Sequence, residues 1–116
     1  MSYTIWHNPR CSKSRATLEL LRSRGVEPTI VDYRNNAPSP ETIAAAAAAL
    51  GIRPAELVRR GDAAKAGLAE RVDGGDDQEV CRLLSDNPAL IERPVVVADD
   101  GRTVIGRPPE NVLDLL

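Results

Sequence analysis

A cysteine set among cations, with a serine three residues on, is where this sequence could do chemistry. In His7-Asn8-Pro9-Arg10-Cys11-Ser12-Lys13-Ser14-Arg15, the side chains of Arg10, Lys13 and Arg15 flank Cys11, and no Asp or Glu occurs before Glu19. The thiolate is the nucleophilic form of cysteine, and a helix N-terminus or neighbouring cations lower a thiol pKa to roughly 3.5–7.5. The loop is locally positive although the chain has a formal net charge of -2, which favours both an ionised Cys11 and an anionic substrate. Backbone N–H groups, the Ser12 and Ser14 hydroxyls and the flanking cations form an expected cradle for a tetrahedral oxyanion. A disulfide oxidoreductase working alone would carry a second cysteine at position 14. With Ser14 there instead, Cys11 needs an external thiol to regenerate it. His7 reads either as a structural histidine at a strand end or as a group that tunes Cys11, and Trp6 is assigned to the core.

The elements around this loop follow from periodicity and punctuation. Tyr3 to His7 alternates as a strand, Asn8-Pro9 is a turn signal, and Leu18, Leu20 and Leu21 mark a helix that stops at Gly25, so Cys11 falls at a helix N-terminus. Thr29 to Tyr33 forms a second strand at a distance that suits a helical crossover, completing a parallel βαβ unit. Ser39-Pro40-Glu41 has the residues of a helix start, with the helix ending near Gly51. Pro54 opens a short helix carrying Leu57 and Val58, with Arg59 and Arg60 at its end. Asp62 to Gly75 is expected to be irregular, with one helical turn around Ala66 to Ala69. Asp76 and Glu79 have capping-box spacing ahead of a helix lined by Val80, Leu83 and Leu84. Cys81 lies inside that helix and is read as structural.

Ile91 to Val97 leads into a β-branched strand with Pro94 at its start, a position compatible with a cis bond. Asp99-Asp100-Gly101 marks a hairpin to Arg102–Ile105, and Pro108-Pro109-Glu110 starts a final helix with Val112, Leu113 and Leu116 as its apolar face. The order βαβ, helices, ββα is the element pattern of a thioredoxin-like fold, α/β with a mixed sheet. One domain over residues 1–116 is expected, with a helical insertion at about 40–86.

Composition narrows the function classes. With no Phe, one Trp and two Tyr, the chain lacks the aromatic platforms on which single-stranded nucleic acids stack, so no nucleic-acid partner is expected. No apolar run is long enough to span a bilayer and the N-terminus lacks a signal-peptide pattern, so the expectation is a soluble, cytoplasmic protein without a membrane partner. Two cysteines suit a reducing compartment. No metal site is assigned.

Three segments in order resemble the glutaredoxin-coupled arsenate reductases and their close relatives: His7-Asn8-Pro9-Arg10-Cys11-x-x-Ser14-Arg15, Leu90-Ile91-x-Arg93-Pro94-Val95-Val96-Val97, and Gly106-Arg107-Pro108 followed by Val112-Leu113. The resemblance spans nearly the whole chain. It implies a thioredoxin-like oxidoreductase in which Cys11 attacks arsenate while Arg59, Arg93 and Arg107 hold and polarise it; the local reading of the loop adds His7, Ser14, Arg10 and Arg15 as supporting residues. Arg59 is placed by Gly51-Ile52 and Leu57-Val58, and the adjacent Arg60 is the alternative. The implied cycle uses no tightly bound cofactor: glutathione is the co-substrate, glutaredoxin the transient partner and arsenite the product, as in arsenical resistance. Planar guanidinium forks suit tetrahedral oxyanions. The loop departs from the best-known branch in having Ser12-Lys13-Ser14 for Gly-Thr-Ser, and the chain stops straight after its last helix, as in a branch called arsenate reductases by similarity. Two other readings stay open. One keeps Cys11 but acts on glutathione mixed disulfides or another anion; the other is a redox-responsive regulator that binds RNA polymerase, whose relatives of this fold typically carry C-x-x-C.

Overall fold

An extended backbone needs neighbouring strands to satisfy its N–H and C=O groups, and four short segments pair for this purpose. The computed structural model describes residues 2–116. Strands β1 (Tyr3–Trp6), β2 (Thr29–Val31), β3 (Val95–Ala98) and β4 (Thr103–Ile105) form one sheet in the order β2-β1-β3-β4. β1 runs parallel to β2, with Ile5 opposite Ile30, and antiparallel to β3, with Ile5 opposite Val96. β3 and β4 form the expected hairpin, in which Gly101 takes the left-handed backbone (φ 95°) that the turn requires. Helix α1 (Ser12–Ser23) crosses from β1 to β2. This is the mixed α/β sheet of a thioredoxin-like protein.

The chain divides into two compact units. Residues 1–36 and 93–116 carry the sheet, and residues 37–92 are helical. In the sheet unit, Leu18 and Leu21 of α1 pack with Tyr3, Ile5, Val96 and Ala98 of the strands and with Val112 and Leu115 near the C-terminus. The C-terminal segment Pro109–Leu115 is a 3-10 helix, and its buried residues are Val112 and Leu115. The expected apolar face of Val112, Leu113 and Leu116 is therefore corrected, Leu116 being 48% exposed. At three residues per turn, positions 112 and 115 eclipse one another, and a 3.6-residue period misplaces the face. The Tyr3 hydroxyl donates to the Leu115 carbonyl at 3.1 Å and ties this segment to β1.

In the helical unit, α2 (Pro40–Leu50) starts where Ser39 Oγ accepts the Thr42 N–H at 3.1 Å and ends at Gly51, whose φ of 71° closes it. It packs on α5 (Asp77–Asp86). The Asp76 side chain caps α5 by accepting the Glu79 N–H at 2.8 Å. Between them, the stretch expected to be irregular holds two short helices, α3 (Arg60–Lys65) and α4 (Ala69–Gly74). Each is anchored by one buried apolar residue, Ala63 or Val72. Packing stabilises helices this short where propensity alone would not.

Leu21 is fully buried at the centre of the sheet unit's core. Leu21→Ala should lower the unfolding free energy by about 2–5 kcal/mol, measured by urea denaturation.

Candidate active site

The turn between β1 and α1 brings the nucleophile to the head of a helix. Cys11 is the N-cap residue of α1, with extended backbone (φ -92°, ψ 121°), and its carbonyl accepts the Arg15 N–H at 3.0 Å. The Cys11 N–H donates to the Asn8 carbonyl at 2.9 Å and closes the loop. The buried Asn8 side chain accepts the Arg10 N–H at 3.0 Å. Arg15 Nη1 donates to the Pro9 carbonyl at 2.8 Å, so this arginine braces the loop from outside. The side chain of Arg10 is exposed.

Burial by itself would push the Cys11 thiol up. It is outweighed by the Ser14 and Lys13 backbone N–H groups, a hydrogen bond from Arg93 and the charge of Arg107, and the pKa falls below its ordinary value. Arg107 Nη2 lies 3.3 Å from Cys11 Sγ. Its Nε donates to the Arg93 carbonyl at 2.6 Å, which aims the guanidinium along the loop. Cys11, Arg93 and Arg107 thus converge from the α1 N-terminus, the segment before β3 and the segment after β4. Arg93-Pro94 and Arg107-Pro108 are both cis peptides.

Ser14 is fully buried, and its hydroxyl accepts the Asn8 N–H at 3.0 Å while lying 2.6 Å from His7 Nδ1. The expectation that this hydroxyl joins the oxyanion cradle is corrected: it faces the buried His7 and Asn8, which would otherwise lose a polar partner. Ser14 contributes its N–H to the thiolate instead. His7 has its pKa lowered, first by burial and then by the nearby charges of Arg22 and Arg15, against the opposing effect of Asp32. It is neutral near pH 7, so it supports the loop through Ser14 and does not lend Cys11 a positive charge.

Arg59 and Arg60 belong to the helical unit. Arg59 Nε donates to Asp62 Oδ2 at 2.8 Å, with Glu92 Oε1 3.9 Å from its Nη1, and Arg60 pairs with Asp73. Cys81 is 2% exposed, and its thiol pKa is raised, chiefly by burial and secondarily by Asp77 and Glu41. It is an inert thiol.

Local sequence signals assign no role to two positioning residues, Asn111 and the motif residue Gly106. Asn111 Nδ2 donates to the carbonyls of Arg107 (3.1 Å) and Ile105 (3.2 Å), fixing the backbone that carries Arg107. No charge or periodicity marks it. Gly106 lies where a Cβ would run into Thr17 Oγ1 and approach Pro94 Cγ to 2.9 Å. The segment Gly106-Arg107-Pro108 marked the position but not the close packing that requires it.

The ArsC family model matches residues 6–115. An arsenate reductase of Rhizobium meliloti is 40% identical over 116 residues, covering 100% of this chain and 82% of the relative. The Escherichia coli protein YfgD is 42% identical over 117 residues, covering 97% and 94% of the two chains. Among solved structures, an arsenate reductase from Vibrio cholerae superposes with a TM-score of 0.91 at 37% identity, covering 100% of this chain and 98% of that one.

Gly106→Ala should lower stability by about 1–3 kcal/mol through overpacking and slow Cys11 alkylation by displacing Arg107. Thermal melts and iodoacetamide labelling on the same sample check both outcomes.

Proposed function

The chain belongs to the ArsC family, and from that premise we propose that it reduces arsenate to arsenite with Cys11 as nucleophile. The observation that carries the reading is the convergence of Arg107, 3.3 Å from Cys11 Sγ, and Arg93 on a thiol at a helix N-terminus. The positive charge that stabilises the thiolate also attracts a tetrahedral anion to the sulfur that must attack it.

The Cys11 thiolate attacks arsenic(V). A sulfur–arsenic bond forms and one arsenate oxygen leaves as hydroxide, protonated by solvent to water. Arg93 and Arg107 neutralise the charge on the remaining oxygens. Glutathione thiolate then attacks Cys11 Sγ. A sulfur–sulfur bond forms, the sulfur–arsenic bond breaks with its electron pair going to arsenic, and arsenic(III) leaves as arsenite. The two electrons come from the two sulfurs. Glutaredoxin thiolate takes the glutathionyl group from the mixed disulfide and restores the Cys11 thiolate.

The need for external thiols is supported by Ser14 at the position where a resolving cysteine would stand and by the buried, inert Cys81. No tightly bound cofactor has a part in this cycle. We assign Arg59 as a third arginine acting on the oxyanion, with Arg60 as the alternative. A glutathione-dependent cycle belongs in a reducing compartment, so we place the protein in the cytoplasm. Among the described residues, no helix is long and apolar enough to cross a membrane.

NADPH oxidation coupled through glutathione reductase, glutathione and glutaredoxin tests the proposal. Wild-type protein should show arsenate-dependent turnover and Cys11→Ser none, because a serine hydroxyl is barely ionised near neutral pH. Arg93→Ala and Arg107→Ala should each lower kcat/KM for arsenate by about 10²–10³, and Cys81→Ser should keep most activity. Comparing Arg59→Ala with Arg60→Ala identifies which of the two acts. Turnover that is indifferent to arsenate but proceeds on a glutathione mixed disulfide would transfer the same nucleophile to the other substrate.

A further inference from the structure

On the β2 side of the Cys11 loop, the sheet unit has a cleft of about 350 Å³ lined by Asn8, Pro9, Arg10, Asp32, Arg34 and Asn35. Its wall and the nucleophile belong to one turn, since Asn8-Pro9-Arg10 directly precedes Cys11 and the Cys11 N–H donates to the Asn8 carbonyl. The charges on the cleft are mixed. Arg10 and Arg34 are exposed, and among the described residues neither guanidinium is in an ion pair. Asp32 is half-buried and held in place by Asn35 Nδ2, which donates to its Oδ2 at 2.6 Å.

This charge set does not suit arsenate. A small inorganic oxyanion gains nothing from a carboxylate in its site, and Asp32 lines the same cleft as the two arginines. The set instead complements a ligand that carries two separated carboxylates and one ammonium. Glutathione has that pattern, with a carboxylate and an ammonium at its γ-glutamyl end, a carboxylate at its glycine end and the thiol between them. We propose that the cleft seats glutathione, with Arg34 and Asp32 receiving the γ-glutamyl carboxylate and ammonium and Arg10 receiving the glycine carboxylate. The proposal rests on the reading of glutathione as co-substrate and gives that reaction its second binding site. The volume lies at the low end of the roughly 300–1,000 Å³ usual for small-ligand sites, which fits a tripeptide. A docked protein needs a far larger buried surface.

The decisive residue is Arg34, which lies outside the Cys11 loop and is exposed, so its substitution leaves the core intact. Backbone NMR of the wild-type chain titrated with S-methylglutathione, which cannot react, should show shifts at Asn8, Arg10, Asp32, Arg34 and Asn35. Arg34→Glu should weaken that binding by about tenfold or more, as expected for loss of a charge-assisted hydrogen bond, and Arg34→Lys should recover most of it. The diethyl ester of S-methylglutathione, without carboxylates, should bind as weakly as S-methylglutathione binds Arg34→Glu. In the coupled assay, the change should fall on KM for glutathione and not on KM for arsenate. Unchanged affinity in Arg34→Glu, shifts confined to other residues, or a change in KM for glutaredoxin alone would overturn the seat. Binding as described in a protein that shows no arsenate turnover would uphold the seat and overturn the arsenate reading. Normal arsenate turnover with no effect of Arg34→Glu would do the reverse.

Discussion

The chemistry depends on keeping a negative charge on a partly buried sulfur. Desolvation opposes that charge, and a thiol in an apolar pocket would stay protonated. What reverses the balance is the N-terminus of α1, whose first-turn N–H groups have no partner within the helix. The turn must therefore place Cys11 at the N-cap and nowhere else. Asn8-Pro9 makes the turn, Asn8 closes it through the Cys11 N–H, and Ser14 locks it from inside against His7. The four strands and the core beneath them serve to hold this turn opposite two arginines that come from distant parts of the chain.

Arg107 is held by a backbone atom. Its Nε donates to the Arg93 carbonyl at 2.6 Å while its Nη2 faces Cys11, so the Arg93 backbone orients the Arg107 guanidinium. Close contact between α1 and the end of β4 needs a residue without a side chain, and Gly106 meets that need against Thr17 and Pro94. Asn111 then fixes the Arg107 backbone from the C-terminal 3-10 helix. These constraints fix the Arg107 guanidinium against the sulfur, where a freely moving arginine would contribute only diffuse charge.

Much of this was legible in the residues. The strand, turn and helix around Cys11, the Ser39 cap, the Gly51 stop and the Gly101 hairpin each follow from local chemistry that has one good solution. The pairing of Arg93 and Arg107 was legible through family motifs, because no local rule brings residues so far from Cys11 in sequence to its side. The misses share a cause. Helices α3 and α4 are too short for periodicity and exist because Ala63 and Val72 are buried. The C-terminal face changed because the helix is 3-10. The Ser14 hydroxyl turned inward because buried His7 and Asn8 require a partner, and Asn111 bears no charge and falls in no pattern. In each case tertiary packing decided between local options of similar energy.

The central claim is that this fold holds Cys11 as a thiolate, and the direct measurement is a pH titration of thiolate ultraviolet absorbance in the Cys81→Ser chain, where Cys11 is the remaining cysteine. Because the charged form is favoured in the folded protein, the thiolate persists as pH falls below the ordinary thiol value of roughly 8.5 and disappears only through the lowered pKa. The midpoint should lie clearly below the ordinary value and move upward in Arg107→Ala. A midpoint at or above the ordinary value in folded protein, or one that does not move when Arg107 is removed, would contradict that claim.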